Sequence, residues 1–504
     1  MVISRRAGGE ARVINSAITA ARREDLRAVA APAWPDAKAA RYSVAVLMVS
    51  YTFAYTDRSI LGLLFEYIRT DLGISDTQVS LLGGAAFAVF YVIMGLPMGW
   101  LADHVNRRNL IVAGMLIWSC MTAAGGFTHS FGQLFFTRIW VGIGEATLMP
   151  AALSVISDSF PPARRQLALG LYMSAIAVGS GLAYLVGGTI LGWVARFPVL
   201  PLPLGGAVKP WQATFLAVGA PGVLLAALVL RIREPQRREL RSPAATRVPA
   251  NGVTDSLKQV SRFMFVRNRR TFLPVFLAFG GLALYAVSLQ AWLPTYFLRK
   301  FGWTAARIGL IYGCILLLFA TLGMVGGSWL ATRLQKRGYK DALLRAPLWM
   351  TLVMTPAAIF ATLVANPYIT LLLVMPVAAL GYGLFAVVPG ILHAITPNEM
   401  RGQVSSVFSL FDNVLGMALG TSVVALLNDF VFRDPMAIGR SMSVVAALVL
   451  PTSALLLASS LEHFRGSVDA AAEWSTRSVA GESANCLNGS AVRPGEQQID
   501  AAIY

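Results

Sequence analysis

The sequence is poor in charge: only 13% of its 504 residues are Asp, Glu, Lys or Arg, about half the share usual in a soluble domain. Groups that ligate metals or act as nucleophiles are also scarce, with four histidines and three cysteines in the whole chain. Cys120, Cys314 and Cys486 are scattered, two of them inside apolar stretches, which argues against a disulfide framework or a metal site. There is no Gly-x-x-x-x-Gly-Lys-Ser/Thr loop and no polar segment long enough for an ATP-binding domain, which disfavours a primary pump. The absence of His-Glu-x-x-His and Gly-x-Ser-x-Gly disfavours a membrane-embedded enzyme. No cofactor and no metal are expected. The first 40 residues are basic and alanine-rich without an apolar core, so no cleavable secretory signal is expected there.

Apolar sequence fills the chain instead. Hydrophobic residues make up 56% of it, and they dominate long uncharged stretches such as 110–128, 211–230 and 348–364. Each is about the 20 residues that a helix needs to cross a bilayer. In lipid every backbone polar group must be satisfied within the protein, which leaves helices or a closed barrel. A barrel would alternate in polarity over roughly ten-residue segments, and these stretches do not. The expectation is an all-α polytopic membrane protein with twelve spans. The first six are 42–68, 76–101, 109–128, 132–157, 165–191 and 211–231. The second six are 271–298, 305–331, 342–363, 368–395, 402–428 and 440–461. They form two six-helix bundles, 42–231 and 271–461. A flexible tail (1–41) precedes them, a basic linker (232–270) joins them, and a polar tail (462–504) reads as disordered.

The net charge of +17 invites a nucleic-acid reading, but the placement of the basic residues speaks for topology. Arg107, Arg108, Arg164, Arg165, Arg333, Lys336, Arg337, Lys340, Arg345 and Arg401 fall on one side, with the linker and the N-terminal tail. The other side carries fewer, among them Arg69, Lys209, Arg299, Lys300 and Arg307. The excess places both ends and the linker in the cytoplasm, with the chain in the cell inner membrane. Membrane lipids are its surroundings, nucleic acid is not a partner, and the chain reads as a monomer.

The halves repeat. Residues 72–84 (LGISDTQVSLLGG) correspond to 301–313 (FGWTAARIGLIYG), with a glycine, a helix-capping Ser or Thr and a final glycine in register. Ser75-x-x-Gln78 has capping-box spacing. Residues 142–150 (GIGEATLMP) match 381–389 (GYGLFAVVP). Duplicated halves are typical of transporters that rock around a midplane site.

Residues 99–108 read GWLADHVNRR. This Gly-x-Leu-Ala-Asp-x-x-x-Arg-Arg pattern, between spans 2 and 3, resembles the signature loop of the major facilitator superfamily. Gly99 lets a neighbouring helix pack closely. Asp103 suits a helix N-terminus, and Arg107 and Arg108 suit acidic partners or headgroups. The second copy, 327–337, has Thr332 in place of the acid, so a charged gate is expected on one side only. Residues 55–64 (YTDRSILGLL), 138–146 (RIWVGIGEA) and 160–188 together resemble the spinster-like branch, particularly its bacterial members. That resemblance implies proton-linked movement of lysolipids or sphingoid phosphates. Organic-anion symporters of the superfamily also carry Asp-Arg in helix 1 and Gly-Glu-Ala in helix 4, so an organic-anion:proton symporter is the alternative. A channel is the remaining class, and the repeat favours alternating access over it.

Charge inside a bilayer is costly, so intramembrane ionisable residues are functional candidates. Asp57, Arg58, Arg138 and Glu145 are the candidates in the first half. At ~1.5 Å rise per residue, Asp57 and Arg58 stand roughly 23 Å above the cytoplasmic end of their helix. Glu145 stands roughly 18 Å up and Arg138 roughly 28 Å. Two acids and two bases therefore share one layer, with Arg138 and Glu145 on one helix face. One reading is proton coupling by Asp57 or Glu145, with Arg58 and Arg138 holding an anionic substrate group or resetting the acid. The other is a static ion-pair network. In the second half Ala286, Val287 and Leu384 stand at the positions of Asp57, Arg58 and Glu145. Its polar exceptions, Tyr285, Gln290, Tyr382, Asp412 and Asn413, are candidate substrate contacts. One charged wall and one apolar wall would suit an amphiphile. His393 reads as a solvated interfacial residue. Asp158 with Arg164, and Glu399 with Arg401, read as salt bridges that close the cytoplasmic side.

Overall fold

The computed structural model describes residues 34–197, 200–201, 207–237, 258–397 and 400–487, with 201 and 472–487 as backbone alone. Twelve long helical rods traverse the described residues: α1 (Ala37–Leu72), α2 (Asp76–His104), α3 (Arg107–Gly125), α4 (Phe131–Ser159), α5 (Pro162–Val194), α6 (Pro210–Leu230), α7 (Arg269–Phe301), α8 (Ala305–Lys336), α9 (Ala342–Ala361), α10 (Pro367–Ala394), α11 (Arg401–Phe432) and α12 (Ile438–Leu487). Ten are long and apolar enough to cross a membrane on length and composition alone. The two that fall short are α1, which carries Asp57 and Arg58 in its middle, and α3, which opens on Arg107-Arg108-Asn109. A two-residue β-ribbon, Leu200–Pro201 against Ala207–Val208, lies before α6.

Local sequence sets the punctuation. α1 ends on Gly73 and α7 on Gly302, both left-handed (φ 62° and 64°), a conformation that glycine adopts without steric cost. Two residues later Ser75 and Thr304 cap α2 and α8, and Ser75 forms a complete capping box with Gln78. The repeat seen in sequence is therefore a repeated helix-stop, helix-start device. Asn106, Ser130 and Asn366 cap α3, α4 and α10 through their side chains.

In the first bundle α1 packs along α5, α3 along α4 and α6, and α2 along α4; in the second α7 packs along α12 and α11, α9 along α10 and α12, and α8 along α10. The α8–α10 contact is backbone to backbone: a Cβ on Gly323 would come within 1.8 Å of the Ala379 carbonyl oxygen. Such contact needs glycine. Between bundles, α5 meets α8 and α2 meets α11.

The two ends of the molecule differ. We call the end bearing the start of α1 and the close of α12 the terminal face, and the other the far face. Toward the far face one apolar core spans both bundles, joining Leu61, Phe65, Val79 and Leu82 to Trp292, Phe297, Trp303 and Ile308. Toward the terminal face the first bundle has its own core, with Leu47, Met115, Trp118, Ile156 and Tyr172. There a Cβ on Gly95, Gly99 or Gly402 would meet open space. Contacts between the bundles concentrate from mid-height to the far face, so the molecule is closed there and open at the terminal face.

Each bundle is stapled at the terminal face, with opposite charge at the hub. In the first, Arg107 at the start of α3 is fully buried. Its Nε donates to Glu234, just past α6, at 2.7 Å, and it also pairs with Asp158 of α4 and donates to Ser154 and the Pro235 carbonyl. In the second, buried Asp341 at the start of α9 receives Arg345 at 2.9 Å and Arg465 of α12 at 2.7 Å. This corrects the reading of 462–504 as disordered. The helix of α12 continues to Leu487, with Phe464 fully buried and Arg465 held by Asp341; 488–504 lie outside the described residues. The linker is likewise tied at both ends, by Glu234 on the first bundle and by buried Val260 and Met264 in the core of the second. Residues 1–33 and 238–257 lie outside the described residues.

Burial opposes the charge on Asp341, but the hydrogen bonds from Arg345 and Arg465 outweigh it and hold the carboxyl below its ordinary value. A depressed folded-state value means that the staple's contribution is present above the ordinary carboxylate range and is lost as pH falls through the depressed value. A nitroxide at position 466, on a background lacking the native cysteines, should therefore stay immobilised from neutral pH down to about 4 and loosen below it. Asp341→Asn should be loose at neutral pH. Equal mobility of the two proteins at pH 7 would dismiss the staple.

Candidate functional site

The GIGEA segment explains how α4 brings a carboxylate to mid-membrane. A Cβ on Gly142 would lie 2.6 Å from the Phe87 carbonyl oxygen of α2, and one on Gly144 2.8 Å from the Gly114 carbonyl oxygen of α3. These two glycines press α4 against its neighbours. Glu145, next in sequence, is the last residue before α4 breaks at Ala146–Thr147.

The four candidates meet, and they pair crosswise between α1 and α4. The Arg58 Nε donates to Glu145 Oε2 at 2.5 Å, and Arg138 Nη1 lies 3.7 Å from Asp57 Oδ1. Asp57 Oδ2 also accepts from Thr122 Oγ1 of α3 at 2.7 Å. Asp57 and Arg58 sit at nearly one height, whereas Arg138 and Glu145 are two turns apart, roughly 10 Å. The long arginine side chains cover the difference. Asp57, Arg138 and Glu145 are at most 2% exposed, while the Arg58 side chain keeps 9%. The Arg58 guanidinium lies over three rings, Tyr55 at 5.0 Å, Phe87 at 4.6 Å and Tyr91 at 4.6 Å, a cation–π cage that stabilises charge away from water.

The network is incompletely bonded. Asp57 Oδ1, Glu145 Oε1, Arg138 Nε and Arg138 Nη1 are buried with no hydrogen-bond partner. Two of these atoms, Asp57 Oδ1 and Arg138 Nη1, face each other across the 3.7 Å ion pair. Both arginines nevertheless face a carboxylate, so neither is free for an anionic ligand in this state.

The second-half candidates divide. Tyr285 is buried in the second bundle's core. Gln290 ties the bundles together: its carbonyl accepts from Tyr184 at 2.6 Å and its amide donates to Ser59 at 3.2 Å. Asn413 spends its amide on the Ser409 carbonyl of its own helix. Tyr382 and Asp412 remain at the opening, half-buried.

Of the expected gate at the terminal face, the parts are present but the connections differ. Asp103 is exposed, and its carbonyl, not its carboxylate, is engaged by Arg237. Gly99 has no neighbour within reach of an added Cβ. Close packing here is absent because α2 and the second bundle stand apart at this end. Arg108 caps the staple, its amide donating to Glu234. Asp158 pairs with Arg107 of its own bundle, whereas Arg164 is exposed. Arg401 donates to the His393 and Thr396 carbonyls, and Glu399 lies outside the described residues. Among the described residues, Arg107 with Asp158 and Arg401 with its carbonyls bind within their own bundles.

The lock lies at the far face, in residues that sequence reasoning had assigned to topology or left aside. Arg299 at the end of α7 bridges Glu66 of α1 (2.6 Å) and Asp76 of α2 (2.6 Å). From α11, Asn428 donates to Asp76 at 2.6 Å, and Asp429 accepts from both the amide and hydroxyl of Thr77 at 2.7 Å. Asp76 is the first residue of α2, where the helix dipole favours an anion. The signal available in sequence was an acid beside a capping box, opposite an arginine at the matching end of α7.

Comparison with known proteins agrees with this architecture. The family model described as Major Facilitator Superfamily matches residues 47–421. An MFS-type efflux pump of Mycolicibacterium smegmatis is 30% identical over 408 residues, 80% of this chain and 89% of its own length. A probable L-galactonate transporter of Escherichia coli is 29% identical over 297 residues, 58% of this chain and 62% of its own. The crystal structure of a bacterial homologue of the human lysosomal transporter spinster, inward-facing and unoccupied, superposes with a TM-score of 0.68 at 22% identity, covering 86% of this chain and 98% of its own.

Removing Arg299 leaves Glu66 and Asp76 without their shared cation. Arg299→Ala should shift the equilibrium toward opening at the far face by about 1–3 kcal/mol, with Arg299→Lys smaller because lysine cannot fork between two carboxylates. Spin-label distances between the α1–α2 and α7–α8 turns should lengthen in the alanine variant. An unchanged distribution would show that the lock does not hold the face closed.

Proposed function

The chain belongs to the Major Facilitator Superfamily, and from that premise we propose that it is a secondary active transporter that moves a small organic substrate, amphiphilic or anionic, by proton-coupled alternating access. It sits in the cell inner membrane with both ends in the cytoplasm, which makes the terminal face cytoplasmic and the described state inward-open. Protons and the substrate are its partners, and a single chain holding both bundles is the working unit.

The observation that carries the reading is the incompletely bonded cross-pair, Asp57 with Arg138 and Glu145 with Arg58. Burial favours a neutral carboxyl and an adjacent guanidinium favours a charged one. Helix movement that changes either term makes the acid take up or release a proton. Protonating one acid frees its arginine, which stays charged throughout. Arg58, caged by Tyr55, Phe87 and Tyr91 and the more exposed of the two arginines, is the one that then meets an anionic substrate group. Deprotonation on the other side of the membrane restores the pair and ejects the group.

The resemblance of 55–64, 138–146 and 160–188 to the spinster-like branch directs the first choice of substrate to lysolipids or sphingoid phosphates. A second reading, an organic-anion:proton symporter, is favoured by the likeness to the probable L-galactonate transporter. Proteoliposomes with an imposed pH gradient, loaded in turn with lysophospholipids, sphingoid phosphates and small organic anions, decide between them. Glu145→Gln, which takes away the acid that holds Arg58, should abolish pH-driven flux, a loss of about a hundredfold or more, with protein abundance unchanged. Flux in that variant with the wild type's pH dependence would refute proton coupling through this site.

A further inference from the structure

With both acids ionised, the cross-pair cancels its own charge, two acids against two bases. One ionisable side chain at the opening is not part of that balance. Asp412 makes no ion pair among the described residues, and its Oδ1 is buried with no hydrogen-bond partner. The α-helix of α11 gives way directly after it to a π-helical stretch, Asn413–Ala418, a distortion often found at functional sites.

Its position follows from the α2–α11 crossing. A Cβ on Gly84 would lie 2.7 Å from the Met417 carbonyl oxygen and 3.2 Å from that of Ala418, so the two backbones touch there. From that crossing α11 runs back toward the open face and reaches Asp412 after roughly 8 Å, while α2 reaches Phe87 and then Tyr91 within roughly 5–10 Å. Asp412 therefore lies at the depth of the aromatic cage around Arg58, on the opposite bundle. Tyr55 of that cage is within electrostatic reach of Asp412 and of Tyr382 on α10. An unpaired carboxylate across from a tyrosine ring of the opposite bundle, next to a charge layer that is neutral when fully ionised, is the chemistry that receives an organic cation.

We propose that Asp412 binds a positively charged nitrogen of the transported molecule, so that the substrate is a cationic or zwitterionic amphiphile and not a simple anion. The nitrogen sits against Asp412, with the rings of Tyr55 and Tyr382 flanking it, while any anionic group of the same molecule is left to Arg58. This inference rests on the transporter reading above and narrows its substrate.

The test uses two ions of one shape and opposite charge, tetraphenylphosphonium and tetraphenylborate, titrated against the full-length protein in neutral detergent. The wild type should bind the phosphonium at least about tenfold more tightly. Asp412→Asn should lose that preference and Asp412→Glu should keep most of it. Equal or tighter binding of the borate, binding of neither ion, or an undiminished preference in Asp412→Asn would each overturn the assignment. If Asp412→Asn does not fold, the wild-type preference and its retention in Asp412→Glu decide the matter. The pH-gradient flux of lysophospholipids or organic anions is measured separately, so the carrier reading can survive the loss of this one.

Discussion

A charged group in hydrocarbon must be neutralised by a neighbour, and in this protein that requirement joins α1 to α4. Asp57 and Arg58 cannot stand alone in the middle of a membrane helix, and neither can Arg138 and Glu145. The crosswise pairs make both helices tolerable together and neither tolerable apart. The rest of the first bundle is arranged around that contact. Gly142 and Gly144 allow α4 close enough, Thr122 supplies the hydroxyl that Asp57 needs from α3, and three aromatic rings shelter Arg58. The arrangement neutralises charge without satisfying every polar atom.

Opposing demands meet at the two faces. At the far face the bundles share an apolar core and are bolted through Arg299, Asp76, Asn428 and Asp429. At the terminal face each bundle keeps its charges to itself. A carrier that alternates must trade such contacts from face to face without ever losing both sets. Two of the far-face groups, Asn428 and Asp429, lie in a second π-helical stretch of α11, Leu427–Phe432. The same helix thus carries irregular backbone at the lock and beside Asp412.

Much of this was legible in the sequence, because the physics behind it is local or periodic. Apolar length gave the spans, Gly-x-Ser/Thr gave the helix boundaries, and the cost of buried charge singled out Asp57, Arg58, Arg138 and Glu145. Depth arithmetic put them in one layer, but that they pair crosswise between α1 and α4 is legible only in the fold. What stayed hidden depends on which rod lies beside which. Arg299 and Asp76 are far apart in the chain, and Arg299 counted equally well as an ordinary loop charge. Arg107 suits acidic partners or headgroups equally well in sequence, and only the fold decides for the acids, burying it under Glu234 and Asp158. The polar composition after residue 461 suggested disorder, but single anchors, Phe464 and Arg465, suffice to continue the helix. Gly99 meets no neighbour and Asp103 is engaged only through its carbonyl, which no local pattern in the sequence could have told.

The two staples have a bearing on how a duplicated chain assembles. Halves that resemble each other invite mistakes: the strand leaving α6 could seat on the second bundle, or the end of α12 on the first. Opposite signs at the hubs forbid both errors. Glu234 would meet the carboxylate of Asp341, and Arg465 would meet the guanidinium of Arg107, each a repulsion in a poorly solvated place. A descendant of a doubled gene in which the two hubs had kept one sign would have no such discrimination. Inverting the charge of the hub and of its exit-segment partner together gives every exit segment one acceptable berth.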